Sequence, residues 1–241
     1  MSHEGRRPPP DERANKAARE HLTGPSAHEV ALALRLGTCP SELAFDRFLP
    51  TEFQDASEQH WTPLEVSLRV AEWLEWIGAK TVVDIGAGPG KFCVATALAS
   101  SCRFTGIEQR QQLVDAAREL AESFGVAGRV EFVQAVVSRS VIPDADAYYL
   151  YNPFGENLLD HHERLGRDVE LGSARYHRDV ALVEEFLERA PVGTHVVKYN
   201  GFGGTMPPTY DLVFADHRLP NTLRLWRKAR SVGDSPSTRE A

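Results

Sequence analysis

The stretch that decides the fold is Thr81-Val82-Val83-Asp84-Ile85-Gly86-Ala87-Gly88-Pro89-Gly90. It opens with a run of β-branched residues that ends in an acid, which is typical of a buried parallel strand. Three glycines then alternate with small residues, as expected where the backbone turns tightly and approaches a ligand. Apolar residues at helical spacing follow from Lys91. Strand, glycine turn and helix together predict the ligand-binding unit of a doubly wound α/β fold.

The glycine spacing argues against two common nucleotide sites. A dinucleotide site has the pattern G-x-G-x-x-G, but the third glycine here, Gly90, comes one residue early and Lys91 stands in its place. The chain also lacks G-x-x-x-x-G-K-[ST], the pattern of a nucleoside-triphosphate loop. A dehydrogenase and a nucleoside-triphosphate site are therefore both disfavoured.

A second acidic residue ends the next predicted strand, Arg103-Phe104-Thr105-Gly106-Ile107-Glu108. Glu108 follows Gly90 by 18 residues, close to the interval expected for a carboxylate that binds a ribose. A carboxylate suits that task because it accepts hydrogen bonds from both ribose hydroxyls. The alternative for Glu108 alone is a solvated acid at the end of a strand.

The pattern Asp84-x-Gly86-x-Gly88-x-Gly90, followed by Glu108, resembles motif I and the next acidic position of the class I S-adenosylmethionine-dependent methyltransferases. The resemblance implies a Rossmann-like fold with a mostly parallel, seven-stranded sheet and S-adenosylmethionine as the cofactor. It also implies that these five residues bind the cofactor, with the glycine turn passing under its methionine part.

The residue at the end of the third strand also concerns the cofactor. Many class I enzymes have an acid at the end of the third strand that binds the adenine amino group, whereas this chain has Val136 there. The resemblance then implies that backbone groups and apolar packing hold the adenine.

The segment His60-Trp61-Thr62-Pro63-Leu64-Glu65-Val66 resembles the Tyr/Phe-Thr-Pro segment that precedes motif I in some adenine methyltransferases. The resemblance makes Thr62 a candidate contact to the methionine end of the cofactor. The residues alone predict a helix with Thr62 as N-cap, Pro63 in its first turn and a capping box with Glu65, ending at Gly78. A well-capped helix without any ligand contact is the alternative.

The second candidate motif is Tyr148-Tyr149-Leu150-Tyr151-Asn152-Pro153-Phe154-Gly155. Asn-Pro-Phe directly follows a strand, and the carboxyl ends of the strands line the ligand crevice of an open α/β sheet. We therefore expect residues 152–154 to share a crevice with Gly86–Gly90 and Glu108. A simple strand-ending turn is the alternative, because Asn-Pro commonly starts one.

The Asn-Pro-Phe segment resembles the Asn-Pro-Pro-Tyr/Phe motif of amino methyltransferases that modify adenine or glutamine nitrogen, with one proline instead of two. The resemblance implies that Asn152, Pro153 and Phe154 form the catalytic site. In it the asparagine oxygen and the next carbonyl accept hydrogen bonds from the target NH₂, and the aromatic ring stacks on the planar acceptor. No metal is needed, because the sulfonium is already an activated leaving group.

The remaining sequence predicts one α/β domain with additions at both ends. Residues 1–10 and 231–241 are predicted to be disordered tails, residues 11–62 a helical extension or lid with Ser26 as an N-cap, and residues 63–230 the catalytic domain. Strands are predicted at 81–85, 103–107, 129–133, 146–151 and 194–199, with helices at 63–77, 90–100, 110–124 and 178–189. The runs 210–216 and 222–229 predict a terminal hairpin that adds one antiparallel strand.

Composition narrows the function. The 241 residues carry a formal net charge of -7, which argues mildly against a partner bound mainly through phosphates. Three cysteines without metal-ligand spacing indicate reduced thiols in the cytosol. No apolar run approaches a membrane span or a secretory signal, and the histidines His161, His162 and His177 fit a solvated loop better than a metal site. Basic residues are mainly arginine, which fits a GC-rich bacterial genome.

These observations predict a cytoplasmic class I methyltransferase that transfers a methyl group to a nitrogen of a small molecule or a protein side chain. Three alternatives remain open: an oxygen or carbon acceptor, a nucleic-acid base, and a regulatory subunit that binds the cofactor without chemistry. The sequence does not indicate the oligomeric state.

Overall fold

The computed structural model describes residues 24–160, 164–166 and 168–231. The helices are α1 (Ala27–Arg35), α2 (Glu42–Asp46), α3 (Thr51–Gln54), α4 (Ser57–His60), α5 (Leu64–Ile77), α6 (Lys91–Ala99), α7 (Gln111–Ser123) and α8 (Ser173–Arg189). The strands are β1 (Thr81–Ile85), β2 (Arg103–Glu108), β3 (Val130–Gln134), β4 (Ala147–Tyr151), β5 (His195–Tyr199), β6 (Tyr210–Asp216) and β7 (Leu223–Lys228). The predicted tail 1–10, residues 11–23 of the extension, residues 232–241, His161 and His162 lie outside the described residues.

The seven strands form one sheet in the order β3-β2-β1-β4-β5-β7-β6. The first five strands of that order pair in parallel, and β7 is antiparallel to both β5 and β6. The predicted mostly parallel, seven-stranded sheet with one antiparallel strand from the terminal hairpin is thus confirmed. The strand order reverses between β1 and β4, and ligands of such sheets bind at the carboxyl ends of the strands beside this switch point.

Strand register brings the predicted motifs to one edge of the sheet. In the β1–β2 pair, Ile85 lies opposite Ile107, so the glycine turn begins beside Glu108. In the β4–β5 pair, Tyr151 lies opposite Tyr199, so the residues that follow the two strands emerge side by side.

Two hydrophobic clusters cover the two faces of the sheet. One cluster joins the helices α1, α2, α5, α6 and α7 to the sheet, so the N-terminal extension shares a core with the rest of the chain. The other cluster packs α8, through Val180, Val183 and Leu187, against the opposite face. Residues 135–146, between β3 and β4, contain no helix. Within the part of the chain described, no helix has both the length and the apolar character needed to cross a membrane.

A buried lysine fixes the extension to the glycine turn. Lys91 begins α6 directly after Gly90, and its side chain is only 2% exposed. Its ammonium lies 2.6 Å from Asp46 and 2.5 Å from Glu42, and it donates a hydrogen bond of 2.8 Å to the Ser57 hydroxyl. Because a buried ammonium requires such partners, these contacts hold α2 and α4 against the helix that follows the turn.

The predicted capping of α5 is wrong. The helix begins at Leu64, and its N-cap is Pro63, which makes no side-chain capping bond. The hydroxyl of Thr62 instead lies 3.0 Å from that of Tyr149 on β4. The Leu64 N–H donates to the Glu42 carboxylate at 2.9 Å, so a side chain from α2 satisfies the free helix terminus that a local cap would otherwise serve.

Other helix ends agree more closely with the ends predicted from the sequence. Ser26 caps α1, as predicted, and the helix α5 ends at Gly78, whose φ is 71°. The helix α8 begins at Ser173, five residues before the predicted start at residue 178. Its first turns are polar in sequence, but Arg175 there pairs with Asp179 at 3.1 Å and donates to the Gln109 side chain at 2.6 Å.

Candidate active site

Three adjoining cavities lie at the carboxyl edge of the sheet around Gly86. The central crevice, of about 250 Å³, is lined by Gly88, Glu108 and Asn152 among others. The Phe154 cavity, of about 40 Å³, lies toward β3 and α8. The Asp84 cavity, of about 30 Å³, lies toward the first turn of α6. A separate groove of about 720 Å³ lies at the opposite edge of the sheet and contains none of the predicted site residues.

Two of the three glycines in the turn border ligand space. A Cβ at Gly88 (φ +54°) would lie 2.7 Å from the Trp61 ring, and one at Gly86 (φ +83°) would lie 2.9 Å from the Pro153 Cβ. Gly90 differs, because a Cβ there would meet the Phe132 ring at 2.5 Å and it lines none of the three cavities. Gly86 and Gly88 thus give access to the crevice, whereas Gly90 permits close packing of α6 on the sheet.

Glu108 is a buried carboxylate held by backbone donors. The Gly88 N–H donates to Oε2 at 3.1 Å, and the Arg110 N–H donates to Oε1 at 2.9 Å. Burial raises the pKa of Glu108, and the two N–H groups oppose that rise. Each oxygen keeps lone-pair capacity for a further donor, and Glu108 lines both the central crevice and the Phe154 cavity.

Asp84 is a second buried carboxylate, at the end of β1. Burial raises its pKa to about 7, the hydrogen bond from the Cys93 thiol opposes this rise, and the negative charge of Glu108 adds to it. The thiol donates at 3.4 Å, which is a weak interaction for a carboxylate. A positive group entering the Asp84 cavity would therefore favour the ionised form.

An arginine that sequence reasoning missed connects Glu108 to the segment after β4. The buried Arg110 guanidinium donates to both Glu156 oxygens, at 2.6 and 2.9 Å, and to Asp168 at 3.1 Å. The Leu165 N–H donates to the same Glu156 carboxylate at 2.8 Å. Paired arginine–carboxylate bonds are strong and directional, so this network fixes the segment beside the crevice. The sequence signal that could have identified Arg110 was its position two residues after the acid that ends β2.

The Asn-Pro-Phe segment divides between two cavities. Asn152 is exposed and lines the central crevice, and Pro153 lines both this crevice and the Phe154 cavity. The Phe154 side chain is buried in the cluster under α8 and lines only the smaller cavity. Asn152 therefore faces the space next to the glycine turn, while the ring of Phe154 faces away from it.

The two remaining predicted cofactor residues have different surroundings. Thr62 is buried and lines the Asp84 cavity, consistent in position with the methionine end of a cofactor. Val136 is 54% exposed and lines none of the three cavities, while its neighbours Ala135 and Val137 line the Phe154 cavity. The roles of both residues stay predictions.

Aromatic residues complete the central crevice. Trp61 covers the glycine turn, with its indole N–H donating to the Phe53 carbonyl at 2.9 Å, and Tyr151 stands 5.0 Å from the Tyr199 ring. His60 is half-buried beside them, and burial lowers its pKa, opposed by the Glu156 charge. The His-Trp-Thr-Pro segment indicated a contact by resemblance, but only the packing of the extension shows that His60 and Trp61 line the crevice.

The described residues that line the central crevice form no candidate metal site. Among the described residues, no group of three or more His, Cys, Asp or Glu side chains is arranged to hold a metal ion.

Comparison with known proteins places the glycine turn in a known domain type. Residues 78–143 match a family model described as a methyltransferase domain. A segment of 62 residues is 37% identical to ribosomal protein L11 methyltransferase of Edwardsiella ictaluri (strain 93-146) and covers 25% of this chain. The matched segment spans 21% of the length of that relative.

Two solved structures are similar over most of the chain. A putative O-methyltransferase from Klebsiella pneumoniae has a TM-score of 0.53 at 14% identity, over 84% of this chain and 97% of that protein. TrmN from Thermus thermophilus has a TM-score of 0.51 at 16% identity, over 73% of this chain and 52% of that protein. At these identities the likeness concerns the fold alone.

Proposed function

We propose that this chain is a class I S-adenosylmethionine-dependent methyltransferase that transfers a methyl group to an acceptor nitrogen of a small molecule or a protein side chain, and the match of residues 78–143 to a methyltransferase domain supports this. The position and free carboxamide of Asn152 are the observation that supports a nitrogen acceptor. Its exposed carboxamide shares a crevice with Gly86, Gly88 and Glu108 and makes no hydrogen bond with any described residue. The carboxamide oxygen is thus available to an acceptor N–H.

The chemistry of the site fits the cofactor. Glu108 presents two oriented oxygens to the crevice, as two ribose hydroxyls require, and Asp84 presents a carboxylate to the cavity on the other side of Gly86. When bound there, S-adenosylmethionine supplies an electrophilic methyl group on a sulfonium. Because Asp84 and Glu108 lie on either side of the glycine turn, the methionine and ribose parts are expected to bind on those two sides.

The residues of this chain then orient the acceptor. We expect the Asn152 oxygen to accept a hydrogen bond from the acceptor N–H, which directs the nitrogen lone pair toward the methyl carbon. If Glu108 and Asp84 hold S-adenosylmethionine there, it would supply the methyl group and leave as the neutral thioether, and the acceptor nitrogen held by Asn152 would release its proton to solvent. Correct positioning of two reacting groups supplies a large part of such a rate increase.

The charge of the crevice favours an acceptor without phosphate. Its described lining residues include the carboxylates of Glu108 and Glu156 and a single guanidinium, that of Arg110, which is already paired with Glu156 and Asp168. Binding through phosphates requires free cationic side chains. A small molecule or a protein side chain is therefore preferred to a nucleic acid.

The test is methyl transfer from radiolabelled S-adenosylmethionine to fractions of a bacterial cell extract, separated into small molecules, protein and nucleic acid. We expect label in the small-molecule or protein fraction with the wild type. Asn152→Ala should reduce the rate by about 100-fold, the order of loss that misplacement of a reacting group causes. Its affinity for S-adenosylhomocysteine, measured by calorimetry, should change less than about threefold, since Asn152 is expected to contact the acceptor only.

Three results would contradict this proposal. Label found only in the nucleic-acid fraction would show that the acceptor is a nucleic acid and not a small molecule or a protein. A wild type that binds S-adenosylhomocysteine but transfers label to no fraction would support a regulatory subunit instead. Loss of fold and cofactor binding together in Asn152→Ala would assign Asn152 a structural role.

An oxygen acceptor is the second candidate, favoured by His60. This half-buried imidazole lines the central crevice, and burial lowers its pKa, so it is neutral at pH 7 and able to accept a hydroxyl proton. If the acceptor is a hydroxyl, His60→Gln should greatly lower the rate and remove the acidic limb of the pH–rate profile. If the acceptor is a nitrogen held by Asn152, the same variant should lower the rate less than Asn152→Ala does.

A further inference from the structure

Two asparagines at the active-site edge have an unusual backbone conformation. Among the described residues, only Asn152 (φ 42°) and Asn200 (φ 52°) are non-glycine residues with a positive φ. Glycine adopts this region without steric cost, and the chain uses it at the neighbouring Gly201 (φ 81°). Since glycine would suit the backbone better at both positions, the carboxamide side chains need another explanation, and such outliers often mark functional sites.

The two asparagines are neighbours in space. They follow β4 and β5 at the paired ends Tyr151 and Tyr199, and the Asn152 N–H donates to the Gly201 carbonyl at 2.7 Å, which joins the two turns. Both side chains are exposed and both line the central crevice. Neither makes a side-chain hydrogen bond within the ranges that the structure describes, so the donors and acceptors of both carboxamides are unpaired. The Asn152 carboxamide lies against Gly155, which lines the same crevice.

We propose that Asn200 is a second acceptor-binding residue that acts with Asn152 as a carboxamide pair, and that this pair selects a planar group bearing an N–H donor beside a hydrogen-bond acceptor. The inference rests on the proposed function, because it assigns the acceptor to this crevice. Each carboxamide offers one oxygen acceptor and one NH₂ donor. Two of them side by side complement a planar edge that has both, as a primary amide does.

The walls of the crevice support a planar occupant. Trp61 and Tyr151 line the same space as the two asparagines, and aromatic rings bind flat, partly apolar groups well. An isolated ammonium would need acceptors only. Among the lining residues that the structure describes, no guanidinium is free for a phosphate, since Arg110 is paired. The carboxamide pair and the rings together therefore fit a neutral planar amide.

The decisive variant is Asn200→Gly. Glycine keeps the left-handed backbone and removes only the carboxamide, so the melting temperature should stay constant or rise. The affinity for S-adenosylhomocysteine should change less than about twofold, because Asn200 is expected to touch the acceptor alone. Asn221→Gly, on the turn between β6 and β7, is the matched control for removing an asparagine carboxamide elsewhere.

The probe is benzamide, and N,N-dimethylbenzamide is the matched control that lacks the N–H donors. Binding is measured by saturation-transfer NMR on the full chain saturated with S-adenosylhomocysteine. We expect benzamide to bind the wild type and Asn221→Gly equally, and Asn200→Gly about three- to tenfold more weakly, the loss expected for one hydrogen bond. The dimethylated control should bind all three proteins equally weakly.

Each of the following outcomes would overturn the inference. Equal benzamide affinity in wild type and Asn200→Gly would give Asn200 a purely conformational role. Equal binding of benzamide and its dimethylated control would show that the N–H donor of the ligand does not contribute to binding. If the wild type binds S-adenosylhomocysteine but not benzamide, the carboxamide-pair assignment fails while the methyltransferase proposal stands. If calorimetry detects no S-adenosylhomocysteine binding, the proposed function fails and this inference fails with it.

Discussion

Replacing Glu108 by alanine tests how the cofactor is held. The carboxylate is oriented by the N–H groups of Gly88 and Arg110, at 3.1 and 2.9 Å, which leaves one accepting direction on each oxygen for a ligand hydroxyl. Loss of hydrogen bonds to a charged group costs about 1.5–3 kcal/mol. Since about 1.4 kcal/mol corresponds to a factor of ten, Glu108→Ala should bind S-adenosylhomocysteine about 10- to 150-fold more weakly.

The assay is isothermal titration calorimetry of the folded variant, with thermal melting as a check on the fold. Glu131→Ala, an exposed acid on β3, is the matched control and should retain wild-type affinity. A cofactor analogue that lacks the ribose hydroxyls completes a double-mutant cycle. The wild type should lose affinity for this analogue, whereas Glu108→Ala should bind the analogue and the natural compound equally. Separate, additive losses would refute the assignment of Glu108 to the ribose.

Three further predictions concern the turn, the pH dependence and the stability of the site. Gly88→Val should abolish S-adenosylhomocysteine binding in calorimetry while circular dichroism remains native, because its Cβ would press on Trp61 at a positive φ; retained binding would place the ligand away from the turn. Affinity for S-adenosylmethionine should fall as the pH drops below about 7, where Asp84 becomes protonated, and Asp84→Asn should remove this dependence; a dependence that survives belongs to another group. Arg110→Gln should lower the free energy of unfolding in urea by about 3 kcal/mol, since it leaves the Glu156 carboxylate without its cationic partner. Loss of the exposed Arg189 should cost about 0.5 kcal/mol or less.

Sequence periodicity was sufficient for the sheet and most helices. The β-branched run 81–85 and the amphipathic segment 110–124 match β1 and α7 to within a residue, because burial of one apolar face determines such elements. The methyltransferase domain and its Rossmann-like fold are confirmed as predicted, and S-adenosylmethionine as its cofactor stays a prediction. The N-cap of α5 was missed because Glu42, distant in sequence, supplies the capping oxygen.

The residues expected to bind the acceptor were harder to predict from the sequence. Phe154 follows Asn152 so closely that both were expected in one site, but the left-handed turn at Asn152 sends the Phe154 ring into the core under α8. Trp61 reaches the glycine turn only because the extension packs on α6 through Lys91. Asn200 had no motif to mark it, since its role depends on the register between two strands that are distant in sequence.

We propose that the glycine turn and Glu108 form a site for S-adenosylmethionine. The most direct measurement is a calorimetric titration of the full chain with S-adenosylhomocysteine and, separately, with NAD. We expect saturable binding of S-adenosylhomocysteine at one site per chain and no comparable binding of NAD, because the third glycine of a dinucleotide motif is displaced and Lys91 takes its place. Saturable binding of NAD with none of S-adenosylhomocysteine would contradict it.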